Sequence, residues 1–483
     1  MRSQMLYKRL VAGFVCALFA FFAIRVCAQS VTPPITGDYG GTDIQWFVRL
    51  HVRQTPSGSL TGTNDIIDQG FYGIPCENLV LAGTHFSFAV PAVDGSYEGE
   101  VSADGNTITG TWTQGEPRPL VFTRNVPATA ASLSGQLAQI DAMVVAEFSK
   151  KPVGSVTVGV VSGNQLIWTK SYGSADMEKH LPADKDTVYR IGSVTKMFTS
   201  VMLDQLVEAG KVHLSDPVRR YFPEIALVQG KYPNAPPITL LQLATHTSGL
   251  GREPDDMDRY DQGPTADWEK MLIAALPHLH YVAEPGTRFI YSNMGYATLG
   301  AALSHAANQS YLRYVPSHIF APLGMTHTAL QLTPALQAHL SSGYELAGDE
   351  VDAATPLREQ AGRGYKVPNG AMYTTVGDLA RFASFLMGNG PESVLKTASL
   401  QHDLDQVIVP SNSRMTEGYG LGFMVRRRAS YVAFGHGGDV AGYQAALYIN
   451  RDRGVGFILL ANTRNGAIAS GDLALRFLDL LSK

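Results

Sequence analysis

Ser193 and Lys196 stand three positions apart in the segment YRIGSVTKMFTS, residues 189–200. A serine with a lysine one helical turn away is a pair that can carry out acyl transfer. The residues that follow include Met197, Phe198, Val201, Met202, Leu203, Leu206 and Val207. They are apolar around most of a helix's girth, so the pattern predicts a buried helix that starts at Ser193 and stops at Gly210. A helix start offers unpaired N–H groups and a partial positive charge, both of which stabilise an oxyanion. A lysine buried there sheds its proton readily and can then take one from a neighbouring hydroxyl. The same spacing also suits a serine helix cap followed by a surface lysine. A second copy, Ser393 to Lys396 in SVLK, heads a short polar stretch that nothing would bury, and it reads as that ordinary case.

Two later segments hold groups that could serve such a serine. FIYSNMGYATLG, residues 289–300, sets Tyr291 and Asn293 two positions apart, where an extended or loop segment would project both to one side. Together they offer a phenol for proton transfer and an amide for holding a substrate carbonyl. FGHGGDVAGYQ, residues 434–444, places His436, Gly437 and Gly438 in an expected strand. Paired glycines weaken a strand unless something approaches the backbone closely, and a substrate docking as an extra strand would do so. His246 is expected to be structural, in a turn packed near the site. The acidic stretch EPDDMDRYD, residues 253–261, lacks the glycine and spacing of a calcium loop and reads as a solvated loop. His278 and His280 lie two apart without the partners a metal site needs.

Taken as an ordered set, Ser-x-x-Lys, Tyr-x-Asn about 100 residues on and His-Gly-Gly about 145 residues later resemble the serine β-lactamase and penicillin-binding-protein superfamily. The likeness is closest to class C β-lactamases and their DD-peptidase and esterase relatives. The stretches LLQLATHTSGL (240–250), APLGMTHTAL (321–330), NGAMYTTVGDLARF (369–382) and YGLGF (419–423) agree with it, and it covers residues 135–480. The resemblance implies that Ser193 is the acylated nucleophile and that Lys196 and Tyr291 share the base and acid work. It implies that Asn293 orients the substrate and Lys196, and that His436, Gly437 and Gly438 stand where many lactamases have Lys-Thr-Gly. The oxyanion hole would be the backbone N–H groups of Ser193 and Asp439. No metal or organic cofactor is implied, and the partner is a small-molecule or peptide substrate: a β-lactam, a D-amino-acid peptide or an ester. Histidine in place of lysine at the third motif removes a permanent cation that would meet the carboxylate of a β-lactam or a peptide C-terminus, which argues against a preference for either. The competing reading on the same scaffold is a penicillin-binding sensor that acylates without turnover.

These residues need elements to hold them. The alternation in 154–173 reads as a β-hairpin turning at Gly163-Asn164, and 429–462 reads as three strands with a turn at Asp452–Gly454. Helices fill the middle, and SGDLALRFLDLLSK closes the chain as a helix. Strands from both ends of the domain, with a helical insert between them, suggest one antiparallel sheet, an α+β layout. The resemblance implies the class C β-lactamase-like fold, with helices on both faces of that sheet. Ahead of it, residues 29–125 read as a small antiparallel barrel or sandwich. Ile44, Trp46, Val48, Leu50 and Val52 alternate, as do Phe86, Phe88 and Val90, Asp104-Gly105 marks a hairpin, and Leu120 and Phe122 form a last strand. NDIIDQGFYGIP, residues 64–75, reads as a solvated loop. A linker at 126–134 joins this part to a hydrolase domain at 135–483.

Residues 1–28 carry Lys8 and Arg9, an apolar run over 10–24 and a small-residue cleavage site at Val26–Ala28, the pattern of a secretory signal peptide. A secreted or periplasmic protein is expected, with no integral membrane segment after signal removal. Four basic and no acidic residues leave with the signal, which takes the formal charge from −4 to −8 and argues against nucleic acid as a partner. Only Cys76 of the three cysteines remains, so no internal disulfide is available.

Overall fold

Alternating residues close a barrel at the N-terminal end. The computed structural model describes residues 33–482 apart from 43–46, 67–70, 125–126, 231, 233, 348–349, 352–361, 401–408, 412–415, 429–430, 465, 467 and 469. Residues 1–28, Ile44 and Trp46 lie outside the described residues. Eight strands, from Gly37–Thr42 to Glu116–Arg124, pair in chain order, and the last closes on the first with Tyr39 opposite Arg124. Closure leaves no unpaired sheet edge. Leu50, Val52, Phe86, Phe88, Val90, Tyr97, Ile108, Leu120 and Phe122 point inward and are buried. The Tyr97 ring stacks on Phe88 at 5.3 Å and meets Phe122 edge-on at 5.1 Å, and its hydroxyl donates to the carbonyls of Ile108 and Leu120. The interior is thus a packed core.

The segment 64–75 departs from the expected solvated loop. Residues 64–66 end the strand Leu60–Ile66, and 71–75 begin the strand Phe71–Ala82. Asp65 is buried opposite Arg49 on the ladder and within reach of His51, the diagonal neighbour: His51 Nε2 lies 2.9 Å from Asp65, and Nδ1 lies 2.9 Å from Asp38 on the other side. Burial alone would favour a neutral ring, but the two carboxylates outweigh it and push His51 up to about 9. Beside this cluster Arg49 forms a buried ion pair with Asp452, which sits in the turn between the strands Tyr443–Asn450 and Val455–Ala461. The barrel is therefore fastened to the far end of the second sheet.

That second sheet has nine strands, all paired antiparallel. In order they are Leu181–Pro182, Gln165–Asp176, Ser155–Ser162, Val455–Ala461, Tyr443–Asn450, Val432–Val440, Met424–Arg427, Glu417–Tyr419 and Val409–Pro410. The hairpin turns at Gly163-Asn164 and the three C-terminal strands lie as their alternation requires. Along Ser155–Ser162 and Val455–Ala461, successive side chains enter two different cores. Val156, Val158, Val160, Phe457 and Leu459 meet the helices Ser134–Phe148 and Ser470–Leu481. Val161, Ile458 and Leu460 meet the opposite layer, which includes Val376–Ser384, Thr195–Glu208 and Asn293–Ala307. The architecture is α+β, with helices on both faces of the sheet. No helix among the described residues is long and apolar enough to cross a membrane.

Candidate active site

The helix Thr195–Glu208 is buried on nearly every face and ends just before Gly210, which adopts φ +66°. A single turn of 3-10 helix, Gly192–Val194, leads into it, so Ser193 lies in the tight turn before the helix proper. Its side chain caps no helix N–H. Lys196 is fully buried, and its Nζ has three oxygen neighbours: Asn293 Oδ1 at 2.7 Å, Ser193 Oγ at 3.1 Å and the Asn369 carbonyl at 3.2 Å. The second copy of the motif is built differently. Ser393 is exposed, and Lys396 is 65% exposed and reaches Glu208.

Burial dominates the electrostatics. It drives Lys196 well below the usual lysine range, aided by Arg252 and Lys366 and opposed by Glu253. An ammonium removed from water loses hydration worth several kcal/mol, and the loss is avoided by giving up the proton. A neutral amine matches the three neighbours. Its two N–H groups donate to the Asn293 and Asn369 carbonyls, which can only accept, and its lone pair is left for the hydroxyl of Ser193.

Tyr291 and Asn293 converge on the same place. Ser292 caps the helix Asn293–Ala307 by accepting from the Gly295 N–H at 2.9 Å, and its hydroxyl donates to the Gly251 carbonyl at 2.7 Å. Asn293 thus opens a helix, whereas the spacing suggested an extended or loop pair. The Tyr291 phenol hydrogen-bonds Ser193, and burial pushes it well above the ordinary tyrosine range. Lys196 Nζ lies 4.8 Å from the centre of the Tyr291 ring. His246 packs under that ring at 4.2 Å, takes the Ser292 N–H on Nδ1 at 3.0 Å and gives its own carbonyl to the Ile290 N–H. It is a structural histidine that fixes the tyrosine segment.

The third motif lies on the strand Val432–Val440. Its outer neighbour, Met424–Arg427, pairs only with 432–435, so 436–440 run beyond it beside the serine turn. The two glycines differ in purpose. A Cβ on Gly438 would lie 1.9 Å from the Ile191 carbonyl oxygen, and one on Gly192, at φ +47°, would lie 2.9 Å from the Asp439 nitrogen. The approach that Gly438 permits is therefore that of the serine turn itself. A Cβ on Gly437 would meet nothing within 4 Å. The geometry brings the backbone around Ser193 and Asp439 together, as an oxyanion hole requires.

His436 lines the cleft but is fully buried, with both ring nitrogens occupied. Nδ1 lies 2.5 Å from the Gly437 carbonyl and so carries the proton, while Nε2 accepts from the Tyr419 hydroxyl at 2.9 Å. Burial first, then Lys196, pushes the ring down to about 3. In the unfolded chain an imidazole takes up a proton below about pH 6.5. Between those values the unfolded state holds more protons, so stability that is full above about pH 6.5 is lost as the pH falls toward 3. From this ring alone the loss at pH 5 is about 2 kcal/mol. His246 is depressed too and acts with the same sign. The melting temperature should fall between pH 7 and pH 5, and fall less in His436→Gln. Equal falls in both proteins would mean that the native ring is charged.

The cleft encloses about 730 Å³, and its lining includes Ser193, Tyr291, Asn293, His436, Gly437, Gly438 and Asp439. Also present are residues that the motif pattern did not single out: Arg252, Glu253, Asp261, Arg363, Lys366 and Arg464. The stretch 253–261 is thus not wholly a solvated loop. Glu253 and Asp261 face the cleft and bind Lys366, while Asp255, Asp256 and Asp258 are exposed. Asp439 pairs with Arg464 at 2.7 Å. Asn369 opens the stretch 369–382, but only its carbonyl meets Lys196, and a backbone contact leaves no residue signature. Among the described residues no group of histidine, cysteine and carboxylate side chains could hold a metal ion. His280 pairs with Asp255, and His278 lies against Tyr260.

The family model of the beta-lactamases matches residues 140–480. The chain belongs to the beta-lactamase family. Within the wider serine β-lactamase and penicillin-binding-protein superfamily, it is similar to "Beta-lactamase-like protein 2" of Dictyostelium discoideum, at 27% identity over 71% of this chain and 61% of that protein. The chain spans about three fifths of the length of the curated relatives it matches first. Among solved structures it is similar to an octameric penicillin-binding protein homologue from Pyrococcus abyssi, with a TM-score of 0.61, 24% identity and coverage of 72% and 77% of the two chains. A class C beta-lactamase gives a TM-score of 0.59 at 19% identity, with 72% of this chain and 96% of that one covered. At these identities the structures establish the fold of this beta-lactamase family member. The match begins after the barrel, which lies outside the family region.

Proposed function

We propose that this beta-lactamase family member is an exported serine hydrolase that transfers an acyl group to water through an acyl-enzyme on Ser193. The observation that carries the reading is the Ser193 hydroxyl 3.1 Å from a fully buried lysine amine whose other two neighbours are carbonyls. In the first step the hydroxyl gives its proton to the Lys196 lone pair as Oγ attacks the substrate carbonyl. The oxyanion that forms is held by the N–H groups of Ser193 and Asp439. Tyr291, which burial keeps protonated, donates to the leaving group and is reprotonated from Lys196. Water then attacks the ester carbonyl, its proton passes to the same base, and Ser193 leaves as a hydroxyl.

A neutral His436 supplies no permanent cation at the third motif, which favours an ester over a β-lactam or a D-amino-acid peptide bound by its free carboxylate. Incubation with a chromogenic ester, a D-amino-acid peptide and a fluorescent penicillin tests this, each also with Ser193→Ala. Turnover of at least one substrate is expected, with a loss of about 10³-fold or more in the alanine variant. Activity retained by Ser193→Ala would overturn the assignment. A penicillin label that persists without turnover would replace the hydrolase by a sensor.

A further inference from the structure

Asn293 cannot turn its amide freely. Its Oδ1 faces Lys196 Nζ at 2.7 Å, and its Nδ2 faces Glu253 Oε1 at 2.6 Å. The other carboxylate oxygen of Glu253 accepts from the Tyr365 hydroxyl at 2.5 Å, and Lys366 Nζ lies 3.8 Å from Oε1. All these neighbours of Glu253 are donors, as a carboxylate requires. Flipping the Asn293 amide would point its NH₂ at the N–H of Lys196 and its oxygen at the carboxylate, two repulsive contacts at once. The loop that carries Glu253 is itself pinned to the helix start, because the Arg252 carbonyl accepts from the Asn293 and Met294 N–H groups.

We propose that Glu253 is a positioning residue for the acyl-transfer site. It holds the Asn293 amide with its carbonyl toward Lys196, and its charge governs the pH at which Ser193 becomes reactive. The inference rests on the acyl-enzyme reading for the second half only. One N–H of Asn293 is committed to Glu253, which leaves the other for a substrate carbonyl.

The charge argument follows from what surrounds Lys196. Arg252 and Lys366 disfavour its charged form, Glu253 favours it, and Tyr291, Tyr296, His246 and His436 pack around it. Removing the negative charge therefore makes the amine lose its proton at lower pH. Glutamine at 253 keeps an oxygen to accept from Asn293 and removes only the charge; alanine removes both.

The test compares the full-length protein with Glu253→Gln and Glu253→Ala in two measurements. The first is the rate of Ser193 labelling by a fluorescent fluorophosphonate across pH. The acid limb is expected to move to lower pH in both variants, so that on the limb Glu253→Gln is labelled several-fold faster than the native protein. The plateau is expected to fall about tenfold further in Glu253→Ala, the effect of losing one charge-assisted hydrogen bond that orients the amide. The second is the titration of Lys196 followed by NMR in protein labelled with [13Cε]lysine, with the resonance assigned through Lys196→Met. Its midpoint is expected to fall in Glu253→Gln. An unmoved midpoint overturns the role of Glu253 whether or not the serine reacts. A midpoint that moves while native Ser193 takes no label upholds the electrostatic link and overturns the acyl-enzyme reading instead.

Discussion

Lys196→Met should fold, keep Ser193 in place and lose activity by about 10³- to 10⁴-fold in kcat/KM, with the acid limb of the pH profile gone. Methionine matches the length of the lysine stem and suits a fully buried position. What it lacks is the lone pair. In the native site the two N–H groups of Lys196 are taken by carbonyls of Asn293 and Asn369, so its remaining valence points at Ser193. In the proposed mechanism Tyr291 works on the donating side, because burial pushes its phenol well above the ordinary tyrosine range. The measurement is kcat/KM between pH 5 and 10 on whichever substrate proves active, with a thermal melt to show that the variant is folded. A variant that keeps a tenth of native activity would transfer the base role away from Lys196.

The second large effect concerns a residue with no side chain. Gly438→Ala should lower kcat by about 10²- to 10³-fold, the range seen when one oxyanion donor is lost. The added methyl would lie 1.9 Å from the Ile191 carbonyl, so the serine turn must retreat from the strand that carries Asp439. Ser193 and Asp439 would then no longer aim at one oxygen. Gly437→Ala supplies the control. Its methyl points into open space in the cleft, so it should change KM more than kcat. Steady-state kinetics of the two variants decide the matter, and equal kcat losses would show that the glycines serve strand packing alone.

Much of this architecture was legible in the chain because it is written in local periods. The inward alternation of Phe86, Phe88 and Val90 makes a barrel strand wherever it occurs, and the apolar girth from Met197 to Leu206 makes a buried helix. The residues 64–75 escaped that logic. Asp65 looks like a loop residue, yet His51 on the neighbouring strand neutralises it inside the ladder. His436 shows the same limit from the other side: its motif marked a substrate contact, and only the packed Tyr419 hydroxyl and Gly437 carbonyl reveal a neutral ring that is fully engaged.

By itself, the order of residues determined the strand and helix periods and the spacing of Ser193 and Lys196, since these depend on neighbours a few positions apart. Tertiary structure alone decided which lysine is buried, because Lys196 and Lys396 share one motif and differ in what covers them. It also decided the hydrogen-bond valence of that amine, which is filled from positions 97 and 173 residues away. Glu253 belongs to the same class: in the chain it opens an acidic loop, and only folding sets it behind Asn293, where a charge can act through a single amide.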